Sequence, residues 1–207
     1  MPPDSQSDTL ESRAADGFVA QIPLSLVKAA ATGGAVPWIA IEAPGQPWPN
    51  LPGKAQGPGP FYLVWQHPER SGVASEQWPY QLASLEVVES PVHRWPQLAT
   101  DPSLAPDAPA RRGELVFVAN CLPCHRLNGG GAGEMGPDLG SPMNVTAYLI
   151  ETGLRAIVRE PRSVRTWPLQ QMPGFSSDAL PDSDLDAVIA YLRQSARHIP
   201  AAAGTTK

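Results

Sequence analysis

The pentapeptide Cys121-Leu122-Pro123-Cys124-His125 holds both cysteines of the chain and places a histidine directly after the second. It narrows the possible folds more than any other stretch, because two thiols at this spacing beside an imidazole serve only a few chemistries. Structural zinc takes four N or S ligands, which requires a second Cys or His pair, yet His67, His93 and His198 stand singly. A thioredoxin-like redox pair sits at the start of a helix that follows a strand. Here the preceding "ARRGELVFVAN" lacks strand alternation and reads as a short helix. In covalent haem attachment each thiol adds to a vinyl group and the adjacent histidine becomes an axial ligand of the iron. Two thioether anchors on one edge of the macrocycle leave His125 facing the iron, and this is the reading the pentapeptide favours.

Such an iron takes a second ligand. In "TWPLQQMPGF", Met172 is followed by Pro173, which biases it towards extended backbone and away from a helix interior. A loop thioether of that kind suits a metal, although methionine is also a common core gap-filler. Reach alone leaves Met135 and Met143 open, since even ten extended residues span about 33 Å.

From about Arg112 to Ala196 the order of "RRGELVFVANCLPCHRLNG", "GPDLG", "MPGF" and "SDLDAVIAYLRQSA" resembles that of a class I c-type cytochrome. The resemblance implies an all-α cytochrome c fold around one covalently bound haem c, with His125 as proximal ligand. The carbonyl of Pro137 is then expected to fix the orientation of that imidazole, as outer partners of metal ligands do. Met135 falls on the wrong face, Met143 is less firmly excluded, and Met172 matches the family's distal ligand. Arg165 and Trp167, just before it, match positions that hydrogen-bond a haem propionate. Gly113 and Phe117 of the first helix are expected to cross the last helix at Tyr191. That last helix carries a stripe at Leu185, Val188, Ile189 and Leu192, with Asp182 or Ser183 as its N-cap. Between them, "NVTAYLIETGLRAIVREP" predicts one or two helices, capped by Asn144, broken near Gly153 and ending before Pro161.

The first hundred residues are of another kind. Five of the six tryptophans lie there among many prolines, without helical periodicity. "WIAIE", "FYLVWQ" and "YQLASLEVV" read as strands, and "PLSLVKAAATGG" as a short helix ended by its glycines. From about Asp16 to Glu89 the order of segments is similar to the latter part of the molybdopterin-binding oxidoreductase domain of sulfite-oxidising enzymes. That family binds molybdenum through a cysteine; this region has none. The resemblance therefore implies a descendant without the cofactor, kept for docking. The expected organisation is a disordered segment 1–15, a mainly β (α+β) domain at 16–90, a linker at 91–110, the cytochrome domain at 111–200 and a disordered tail at 201–207.

Charge divides at the same boundary. Residues 1–110 carry 5 Lys and Arg against 11 Asp and Glu, a net of −6, whereas 111–200 carry 9 of each. Nucleic acid is not an expected partner of either half. The run Arg155, Arg159, Arg162 and Arg165 and the run Asp178, Asp182, Asp184 and Asp186 read first as solvated faces. No stretch of 18 apolar residues is present, so no transmembrane segment is expected. Haem attachment of this type belongs to a periplasmic space, and "MPPDSQSDTLESRAADG" has no apolar signal core, so the chain reads as a mature form with its signal removed. The expected function is single-electron transfer between a redox donor and acceptor, with an electron-accepting cytochrome subunit of a periplasmic dehydrogenase complex as one alternative and a dehydrogenase subunit as a candidate partner. A haem enzyme or small-ligand sensor is the alternative if Met172 is labile.

Overall fold

The computed structural model describes residues 7–52, 56–167 and 170–197. Strands come first: β1 (Ser7–Ala14), β2 (Val19–Pro23), β3 (Val36–Ile41), β4 (Phe61–Gln66) and β5 (Leu82–Glu89). The helices are α1 (Leu24–Lys28), α2 (Pro91–Arg94), α3 (Pro109–Asn120), α4 (Val145–Tyr148), α5 (Glu151–Arg159), α6 (Pro161–Val164) and α7 (Asp182–Ser195). Among the described residues no helix is long and apolar enough to cross a membrane.

The N-terminal unit is built from two antiparallel pieces, a three-stranded sheet in the order β2-β1-β5 and a β3-β4 ribbon. Period-2 alternation puts Leu63 and Trp65 of β4 on one face, where they bury against Ala20 and Ile22 of β2 and Ala35. The three expected strands fall on β3, β4 and β5, and the expected short helix is α1 continued by a 3₁₀ turn, Ala29–Thr32.

Two expectations about this half are corrected. Residues 7–14 belong to the segment expected to be disordered, but they form β1, the central strand of the sheet. Apart from Ala14, its buried positions are polar: Thr9, Glu11 and Ser12. The Glu11 carboxylate is 2% exposed and is held by Arg13 at 2.5 Å, Arg94 at 2.6 Å and the Gln21 amide at 3.0 Å. Buried charge is tolerated when paired and hydrogen-bonded in this way. Residues 1–6 and the tail 201–207 lie outside the described residues.

The second correction concerns 91–110, expected as a linker. Arg94 of α2 ties this stretch to the sheet through Glu11 and Gln21, while Leu98 is fully buried in the core of the helical half. The Leu98 carbonyl accepts the Tyr191 hydroxyl at 2.6 Å. Further on, the Arg111 guanidinium donates to the carbonyls of Pro102, Leu104 and Ala105. The stretch is thus part of the fold that follows it. Leu98→Ala is expected to cost about 2–5 kcal/mol, the range for emptying a buried leucine site, measured as denaturant unfolding of the haem-loaded protein. A spacer leucine would cost almost nothing.

In the helical half α3 crosses α7 as expected. A Cβ on Gly113 would stand 2.0 Å from the Ala187 carbonyl oxygen, so only glycine permits this approach. One turn on, the rings of Phe117 and Tyr191 pack with centroids 5.4 Å apart. Leu185, Val188, Ile189 and Leu192 are all buried. The expected cap of α7 is corrected: Asp182 is its first residue, Pro181 takes the cap position, and neither Asp182 nor Ser183 supplies a cap hydrogen bond. Asn144 does cap α4, accepting from the Thr146 amide at 2.9 Å. The break after it falls at Leu149 and Ile150, both extended, and Gly153 lies inside α5. Leu149 leaves the helix to pack on the core.

Candidate functional site

All seven residues singled out from the sequence, Cys121, Cys124, His125, Pro137, Arg165, Trp167 and Met172, line one cavity. Its walls are largely apolar, among them Phe117, Leu139, Leu154, Val158, Phe175 and Leu192. The end of α3 delivers the two thiols and the imidazole. The Cys121 amide donates to the Phe117 carbonyl at 2.8 Å, and the His125 amide to the Cys121 carbonyl at 2.9 Å, so the turn carries on from the helix. The two cysteines are not joined in a disulfide.

The imidazole is oriented from behind. His125 Nδ1 donates to the Pro137 carbonyl at 2.8 Å, which leaves Nε2 with its lone pair. Gly136 lies flat against the ring, where a Cβ would come within 2.4 Å of it. Burial holds the His125 pKa below its ordinary value, against the Pro137 hydrogen bond and the nearby Asp138 charge. The ring is therefore neutral at neutral pH, the form a metal requires.

The Gly136–Pro137 segment is itself held by Asp138. Its carboxylate accepts from four backbone amides, those of Asn128, Gly129, Gly140 and Ser141. Sequence reasoning passed over this residue; its only signal was its place in "GPDLG".

The thiols differ from a redox pair. Burial pushes the Cys121 thiol up to about 12, with the charges of Glu76 and Cys124 adding to the effect. Disulfide exchange needs the thiolate, so this thiol is a poor nucleophile at neutral pH. Among the described residues no group of three or more His, Cys, Asp or Glu side chains is placed to hold a metal ion. The donor set that remains is two thiols, one oriented imidazole and thioethers around an apolar slot, and it fits a covalently anchored haem.

The methionines separate. Met135 lies with its sulfur 4.0 Å from Cys124 Sγ, directly before the Gly136–Pro137 segment that backs His125. Met143 is 55% exposed and is not among the residues lining the cavity. Met172 is partly buried and lines it. The segment after Met172 is fastened to α5: the Phe175 amide donates to the Val158 carbonyl, and Arg159 donates to the carbonyls of Phe175, Ser176 and Leu180. Arg159 and Arg155, read from sequence as solvated, also pair with Asp182 and Asp186 of α7. Nothing in the order of residues marked Arg159 as the anchor of that loop. Arg165 and Trp167 are exposed at the cavity mouth, Trp167 by 51%.

The N-terminal unit reaches this site. The Val19 amide, on the free edge of β2, donates to the Pro123 carbonyl at 3.2 Å, between the two cysteines. Glu76, on a 3₁₀ turn at Ser75–Gln77, lines the same cavity.

Residues 110–196 match the family model described as Cytochrome c. No curated protein and no solved structure matches the chain.

Proposed function

We propose that this chain, whose residues 110–196 are a cytochrome c domain, is a monohaem carrier that passes single electrons between redox proteins in a periplasmic-type compartment. The observation that carries the reading is the convergence of Cys121, Cys124, His125 and Met172 on one apolar cavity, with the far nitrogen of the imidazole engaged by Pro137. Cys121 and Cys124 would hold the haem through thioethers, His125 and Met172 would ligate its iron, and Arg165 and Trp167 would meet its propionates. When bound, the haem supplies a reversible one-electron couple. The chain's own residues do the rest. The Pro137 carbonyl fixes the imidazole tautomer and strengthens it as a donor. The apolar walls keep water from the iron, a setting in which burial and hydrogen bonding tune the potential.

In this proposal the N-terminal unit, a cofactor-free relative of the molybdopterin-binding oxidoreductase domain, docks a partner. Its net charge of −5 over residues 1–90, 4 Lys and Arg against 9 Asp and Glu, favours a basic patch, which speeds encounter at low salt. An electron-accepting role within a dehydrogenase complex fits the same surface.

A carrier with both axial positions filled has no place for a small ligand. Carbon monoxide added to the reduced protein is expected to leave the visible spectrum unchanged, and a redox titration to follow a one-electron Nernst curve. Rapid binding of carbon monoxide would expose an open position and favour a haem enzyme or small-ligand sensor.

A further inference from the structure

A cytochrome domain joined to a docking module needs no residue of that module in its haem pocket, yet Glu76 is there. Its turn is built for the purpose of holding one shape. The Gln77 side chain accepts from the Ala74 amide at 2.9 Å, and the Gln77 carbonyl accepts the indole N–H of buried Trp65 at 2.8 Å. That anchors the turn to the core of the N-terminal unit, and the Val19–Pro123 hydrogen bond holds the same unit against the cysteine loop. Among the described residues lining the cavity, Glu76 is the acidic one and Arg165 the basic one. They come from different halves of the chain.

We propose that the N-terminal unit contributes Glu76 to the rim of the haem pocket and that this carboxylate lowers the haem potential from there. This rests on the haem reading of Cys121, Cys124 and His125. The physical reason is simple. Oxidised haem carries one more positive charge than reduced haem, and a fixed negative charge in a partly water-excluded site favours the oxidised form. The expected effect is on the order of threefold to tenfold in the ferric-to-ferrous ratio at fixed ambient potential, which converts to about 30–59 mV at 59 mV per tenfold for one electron.

The test is a spectroelectrochemical titration of the full haem-loaded chain in four variants. Glu76→Gln is expected to raise the potential by that amount, and Glu76→Lys to raise it further. Glu76→Asp keeps the charge and is expected to stay close to the native value. Glu86→Gln, an exposed change in β5 away from the cavity, controls for net charge and is expected to shift nothing. The proposal is overturned if Glu76→Gln and Glu76→Lys match Glu86→Gln while the visible spectrum is native. It is equally overturned if Glu76→Asp shifts as far as Glu76→Gln, since loss of packing then accounts for the change. Failure of the native chain to attach haem at all would instead bring down the haem reading itself.

Discussion

Replacing Met172 by histidine is expected to lower the reduction potential by on the order of 100 mV, well within the roughly 0.8 V over which axial ligands move haem. It should also remove the sulfur-to-ferric-iron charge-transfer band. A thioether is a soft donor that favours ferrous iron, whereas a second imidazole stabilises the ferric state. The controls are Met135→Leu and Met143→Leu, both expected to leave potential and band nearly unchanged. Met135 also lines the cavity, but its sulfur lies beside Cys124 and directly before the segment that backs His125, on the side of the anchoring cysteines. Met143 is more than half exposed and is not among the cavity-lining residues. Loss of the band in Met143→Leu would overturn the assignment of Met172.

How much of this could be read from residue order depended on whether the physics was local. The pentapeptide was legible because covalent attachment demands two thiols and an imidazole at fixed spacing. The α3–α7 crossing was legible because close helix approach demands glycine, and Gly113 faces the Ala187 carbonyl. Strands β3 and β4 announced themselves through branched and aromatic residues between turns.

What stayed hidden was set by partners far along the chain. Strand β1 buries Thr9, Glu11 and Ser12, so it shows no apolar alternation, and Glu11 becomes acceptable inside only because Arg94 and Gln21 arrive beside it. The prolines of 91–110 read as a spacer because nothing local reveals that Leu98 fills a core position or that its carbonyl receives Tyr191. Glu76 is the sharpest instance. One acidic residue in a loop of the strand-rich half carries no sequence mark of a haem-pocket neighbour, and the packing of β2 and of its own turn against the helical half brings it there.

The second large effect follows from the two cysteines. Cys121→Ala together with Cys124→Ala is expected to abolish haem retention in a denaturing gel, because without thioethers the group is held only by ligation and packing, which denaturation removes. His125→Ala tests a different link: the thiols remain for attachment, but the proximal ligand is gone, so the native low-spin spectrum is expected to be lost. The measurement that bears most directly on the account is the intact mass of the native chain, made with cytochrome maturation machinery and extracted with acidified solvent under denaturing conditions. A protein heavier by one haem is expected, with no haem in the solvent. A chain at its bare polypeptide mass, with the haem in the solvent phase, would contradict it.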